Sequence, residues 1–167
     1  MKKLFATATL ALLFSACSKE PTPSTPAQEP VTTFKFTANG ILYELNGSLA
    51  TYSSMGSIIR RGGDLNTGQY SLLAQNGAAR NTMVLPLTVG TLTSTTYTFP
   101  NGGAGECELI GVSYYGDKAG DNSTVTISSI HDGVYADGIF SGQHTKTGTT
   151  QKVIITNGEF KNVKILL

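Results

Sequence analysis

Phe34-Lys35-Phe36-Thr37-Ala38-Asn39-Gly40-Ile41-Leu42-Tyr43-Glu44-Leu45 reads as two short strands around a two-residue turn. Asn-Gly favours the positive-φ backbone of a tight hairpin, and apolar residues alternate with polar ones on both sides of it. Such a turn pairs Ala38 with Ile41, Phe36 with Tyr43 and Phe34 with Leu45. Side chains alternate along a strand, so these six share one face. The same register sets Lys35 opposite Glu44 on the other face. A slip of one residue would exchange the two faces, so apolar pairs inside and an ion pair outside specify a single register.

Outward from this hairpin the same pattern repeats. Asn-Gly recurs at 46–47, 76–77, 101–102 and 157–158, and Asp-Gly at 132–133 and 137–138. Between these turn signals lie short β-branched and aromatic runs: Ser48–Ser53, Ser57–Arg61, Gln69–Gln75, Arg80–Val89, Thr95–Phe99, Cys107–Tyr115, Thr124–His131, Tyr135–His144, Gln151–Thr156 and Glu159–Leu166. Within Arg80–Val89, Met83, Leu85, Leu87 and Val89 share a face, and Pro86 marks an edge or a bulge. No window from Val31 to Leu167 carries the apolar spacing of an amphipathic helix. Strands at this spacing predict an all-β domain, an antiparallel β-sandwich with a β-barrel as the alternative. Uneven strand lengths favour the sandwich.

The chain ahead of the domain is of another kind. Met1-Lys2-Lys3, the apolar run Leu4–Phe14 and Ser15-Ala16-Cys17 are the three parts of a secretory signal. The apolar run is 11 residues long, short of the roughly 20 that cross a bilayer core. Residues 18–30 hold four prolines and almost nothing apolar, so they predict an extended tether. The expected organisation is a signal peptide over 1–16, a lipidated N-terminus and Pro/Thr-rich tether over 17–32, and a single all-β domain over 33–167. Leu13-Phe14-Ser15-Ala16-Cys17 resembles the lipobox of bacterial lipoproteins, in which the cysteine becomes the acylated N-terminus. That resemblance implies lipidation at Cys17 and a membrane partner reached through the lipid.

Charge excludes some functions. Without Lys2 and Lys3 the balance falls from 12 against 11 to 10 against 11, which provides no basic stripe for nucleic acid. Charged residues make up 14% of the chain, well below the usual quarter; Thr, Ser, Asn and Gly take their place. With Cys17 acylated, Cys107 has no partner within the chain and reads as a small buried hydrophobe. Its neighbours Glu106 and Glu108 would raise, not lower, its pKa.

Motifs for chemistry are sparse. Gly-x-Ser-x-Gly and His-Glu-x-x-His are absent, and the glycine pairs 62–63 and 102–103 lack the lysine and helix of a phosphate loop. The two histidines, His131 and His144, stand near strand ends and read as solvent-facing polar residues, with no metal expected. Asp117, Asp121 and Asn122 carry oxygens but not the spacing of a calcium loop. No catalytic residue and no cofactor is expected. A binding surface is read on Cys107–Tyr115 taken as one strand: Ile110, Val112 and Tyr114 point inward, and Tyr115 points outward beside the low ground of Gly111 and Ser113. An exposed tyrosine with space around it stacks on a sugar or docks a peptide, so the expected partners are a glycan or a protein.

The lipobox at Cys17, the Ser/Thr/Pro tether, the opening Phe34–Gly40 and the closing Val153-Ile154-Ile155-Thr156-Asn157-Gly158-Glu159-Phe160-Lys161-Asn162-Val163 together resemble small lipoproteins of the Bacteroidota. The resemblance covers most of the chain and is one of layout. It implies an all-β domain held at the outer membrane and carries no catalytic residues with it. The expected role is therefore a non-enzymatic binding or envelope-associated module. The alternatives are a hydrolase of an extracellular polymer and a spacer domain without a ligand.

Overall fold

The computed structural model describes residues 28–47, 56–61, 69–100, 105–116, 118–146 and 148–166. Cys17, the expected signal peptide, most of the tether and the expected strand Ser48–Ser53 lie outside them. The described residues form eleven strands: β1 (Thr33–Ala38), β2 (Ile41–Glu44), β3 (Gly56–Arg61), β4 (Gln69–Asn76), β5 (Asn81–Val89), β6 (Thr96–Pro100), β7 (Glu106–Leu109), β8 (Val112–Tyr115), β9 (Asn122–His131), β10 (Tyr135–Lys146) and β11 (Lys152–Leu166). They belong to one large sheet in the order β2-β1-β11-β3-β4-β5-β7-β8-β10-β9-β6, with β10 also paired to β11. The all-β expectation holds.

Two long strands make the sheet turn back on itself. β11 offers Ile155–Lys161 to β1 and its last residues, Lys164–Leu166, to β3, while β10 lies along its other edge. β10 in turn pairs with β9 over most of its length and gives Thr145 and Lys146 to β8. The ladder therefore closes through β11-β3-β4-β5-β7-β8-β10, and both a sandwich and a barrel-like description fit it. The pairings are antiparallel, as expected, except one: β3 runs parallel to β11, which makes the sheet mixed. The chain leaves β2 still running in that strand's direction, with the Gly47 N–H on the Thr32 carbonyl and the Ser57 N–H on the Gly47 carbonyl. β2 is antiparallel to β1 and β1 to β11, so a strand that keeps β2's direction meets β11 in parallel.

The opening hairpin has the expected register, with Phe36 opposite Tyr43, Ala38 opposite Ile41 and Lys35 opposite Glu44. The Leu45 N–H bonds the Phe34 carbonyl. Phe34, Phe36, Ala38 and Leu45 are buried, but Ile41, beside the turn of an edge strand, is exposed. The ion pair also differs: Lys35 Nζ bonds Glu159 at 3.0 Å rather than Glu44. Glu159 stands on the strand flanking β1 on its other side and also takes Lys161 Nζ at 2.8 Å.

The core centres on four phenylalanines of β1, β10 and β11. Phe34 stacks on Phe140 with ring centroids 4.8 Å apart, and Phe36 stacks on Tyr43 at 5.2 Å. Two reciprocal cross-strand pairs, Gly138 with Phe160 and Phe140 with Gly158, make room for the rings. A side chain at either glycine would collide with its partner ring. Thus the Gly of two turn-type dipeptides, Asp137-Gly138 within the expected strand Tyr135–His144 and Asn157-Gly158 between two expected strands, stands inside a strand.

Asn157 has φ +51° and sits where Thr37 pairs with Thr156 but Lys35 already pairs with Glu159, an extra residue against β1. That is a β-bulge, so Gln151–Thr156 and Glu159–Leu166 are one strand, not a hairpin. A second bulge holds Asn162 at φ +51° between the pairs Gly138–Phe160 and Ala136–Val163. Its backbone N–H is satisfied by Asp137 Oδ1 at 2.7 Å. Asx-Gly signals positive φ; whether the chain reverses there depends on how the strands pair.

Candidate functional site

The expected strand Cys107–Tyr115 is two strands. β7 and β8 fold into a hairpin whose turn residues, Ile110 and Gly111, have φ +52° and +75°. Ile110 is therefore not inward; it is 73% exposed at the tip. Gly111 is not low ground beside Tyr115 either, since the Arg80 guanidinium covers it: a Cβ there would lie 3.0 Å from Arg80 Cζ. Ser113 and Tyr115 do share the outer face of β8, opposite Glu108 and Glu106. Tyr115 is 39% exposed and Tyr114 is buried beside Cys107, as expected. The tyrosine edge thus stands beside two carboxylates rather than in a small-residue trough.

The remaining candidates resolve into structural roles. Burial first, and Glu106 second, push the Cys107 thiol up to about 12, so at neutral pH it is a protonated core residue. His144 is fully buried, not solvent-facing. Asp121 is buried as well: its carboxylate accepts the Thr145 hydroxyl at 2.8 Å and the Lys118 N–H at 3.0 Å, which pins the loop before β9. His131 is the exposed member of the pair. Its Nε2 meets Asp137 Oδ2 at 2.9 Å and Ser129 Oγ at 3.2 Å. Both contacts fall on one ring nitrogen, so this group lacks the two-sided relay of a nucleophilic triad. Burial alone would raise the Asp137 carboxyl, but the Asn162 N–H and His131 outweigh it and hold the group below the ordinary carboxylate range. Among the described residues no three His, Cys, Asp or Glu side chains gather as a metal site.

A concave surface lies elsewhere, on the outer face of β9, β10 and β11. A groove of about 360 Å³ is lined by Thr124, Thr126, Ile139, Phe140, Ser141, Asn157 and Gly158. The bulge at Asn157 forms one wall, and Ile139, 56% exposed, stands in it. Hydroxyls, one amide and one exposed aliphatic side chain line it without a charge. Its volume is in the range of small-ligand sites. The sequence carried part of this signal, in Thr124 and Thr126 on alternating positions. What joins them to Ser141 and Asn157 is strand order, which alternation does not contain. No family model, no curated protein and no solved structure matches the chain.

Proposed function

We propose that this chain is a lipid-anchored binding module of the bacterial cell envelope, held at the outer membrane through Cys17, and that it binds an uncharged glycan without transforming it. The groove on β9, β10 and β11 carries the binding half of this reading: an uncharged lining of hydroxyls and an amide with Ile139 among them matches a ligand made of hydroxyls and small apolar ring faces. The lipobox-like Leu13–Cys17 supports the anchor. Tyr115, beside Glu106, offers a second, more acidic surface.

Two measurements test the two halves. Cys17→Ala should release the protein from the membrane fraction and abolish incorporation of labelled palmitate; unchanged fractionation and labelling would end the anchor reading. On a glycan array, Ile139→Arg should remove binding of the intact chain while Tyr115→Ala leaves it. The reverse pattern would move the site to the tyrosine edge.

A further inference from the structure

The registers of five ladders place one residue type in a line. Thr98 of β6 stands opposite Thr124 of β9, and Thr124 opposite Ser141 of β10. Ser141 faces the bulge that begins at Thr156 of β11, where the pairing steps from Gly142–Ile155 to Phe140–Gly158. Thr156 stands opposite Thr37 of β1, and Thr37 opposite the exposed Leu42 of β2. Five hydroxyl side chains thus cross five consecutive strands on the outer face, with the groove at the middle of the line. We propose that this row is the binding track for a linear, uncharged, β-linked polysaccharide lying across the strands. The proposal rests on the uncharged-glycan reading above and adds the shape, linkage and direction of the ligand.

Spacing is the first support. Neighbouring strands lie about 4.8 Å apart, so five residues in line span about 19 Å. That interval is close to the advance per sugar of an extended β-linked chain, so successive sugars meet successive hydroxyls. Availability is the second. Among the described residues, the hydroxyls of Thr37, Thr98, Thr124, Ser141 and Thr156 have no hydrogen-bond partner within the protein, while their neighbours off the row do. Thr96 and Thr126 bond each other at 2.9 Å, and the Asn122 and Gln143 amides both donate to the Gly120 carbonyl. A free Ser or Thr hydroxyl both donates and accepts, as a sugar hydroxyl does.

Charge and apolar surface complete the match. The row itself holds no ionisable group, and the lysine nearest to it in β1, Lys35, is neutralised by Glu159. Ile139 and Ile154, 56% and 52% exposed, flank the row on opposite sides. With the threonine methyls they offer apolar contact to ring C–H faces. On the exposed face of β11 the lysine without an ion-pair partner among the described residues is Lys152, two residues beyond Ile154 and off the row itself.

The test uses the intact chain and β-1,4-linked glucose oligomers from dimer to hexamer, with a charged uronic-acid series beside them. Affinity should rise with length up to about four or five sugars, the span of the row, and then level off. Thr124→Val and Ser141→Ala should each weaken binding about threefold to tenfold, the value of one exposed net hydrogen bond. Thr96→Val, off the row, should change it by less than about twofold, with circular dichroism confirming that all variants fold. Binding that is independent of length yet abolished by Ile139→Arg would overturn the track and leave a short glycan in the groove. Stronger binding of the uronic-acid series would overturn the uncharged ligand. Failure of the glucose series and of every neutral glycan on the array would overturn track and glycan reading together.

Discussion

The β1–β2 and β7–β8 hairpins have almost the same turn and opposite chemistry. Asn39-Gly40 takes φ +48° and +84°, and Ile110-Gly111 takes +52° and +75°. Asparagine enters the left-handed region readily; a β-branched isoleucine does so only against steric strain, of about 1–2 kcal/mol. Both turns are clamped from outside. Asn39 exchanges hydrogen bonds with β11, its N–H on the Ile154 carbonyl at 3.1 Å and its Oδ1 accepting the Ile154 N–H at 2.9 Å. At the second turn the Ile110 N–H bonds Asn81 Oδ1 at 2.8 Å, and the Gly111 N–H bonds the Arg80 carbonyl at 3.1 Å. The β4–β5 turn, with Arg80 itself at φ +52°, therefore imposes a conformation that Ile110 would not choose. Local preference makes the first turn, and tertiary hydrogen bonds make the second.

The largest expected effect tests whether the first hairpin is anchored by its core face. Phe36 is 1% exposed between Phe34, Tyr43 and Phe140, so Phe36→Ala should reduce unfolding free energy by about 3–5 kcal/mol. Chemical denaturation reads this directly, and a loss below about 1 kcal/mol, in the range of an ordinary surface change, would contradict the packing.

An exchange of turn residues should act with opposite signs. Asn39→Ile should destabilise by about 1–2 kcal/mol, from backbone strain and loss of the Asn39 side-chain bonds to β11. Ile110→Asn should stabilise by about 1 kcal/mol, because the exposed isoleucine contributes little burial to offset its strain. Equal losses from both would show that Ile110 is not strained and would remove the contrast between the turns.

The smallest effect concerns the ion pairs. Lys35→Ala should change stability by less than about 1 kcal/mol, since both partners are partly exposed. A double-mutant cycle should find coupling of Lys35 with Glu159 and none with Glu44. Bonds from Lys161 and then Lys35 hold the Glu159 carboxyl below its ordinary range. A carboxyl lowered on folding adds stability above its unfolded pKa, and that small increment should fade as pH falls through the lowered value. Coupling to Glu44 instead would mean that the crossing of Lys35 toward β11 is wrong.

Elements governed by neighbours in sequence were legible from the residues alone. The β1–β2 register, the buried face of Met83, Leu85 and Leu87 in β5, and the inert character of Cys107 follow from alternation and local charge. The expected site was only partly legible. Tyr115 is exposed and Ser113 shares its face, but Gly111 lies in a turn that no local signal marked, because isoleucine is among the residues least suited to it. Asn157-Gly158 was misleading in the opposite way: its positive φ was foreseeable, yet it bulges a continuous strand because β1 and β10 pair across it on both sides.

The amino-acid sequence by itself determined that the domain is built of strands, where most of them run and which side of each is apolar, since these depend on a two-residue period and on residues able to take positive φ. Tertiary structure alone decided that β3 meets β11 in parallel, that Lys35 turns to Glu159, and that Thr37, Thr98, Thr124, Ser141 and Thr156 stand in one row. Those five residues come from strands scattered between Thr33 and Leu166. The neighbouring places of β1, β11 and β10 bring the four phenylalanine rings and the facing glycines of β10 and β11 into a single core, and no period along the chain encodes the strand order.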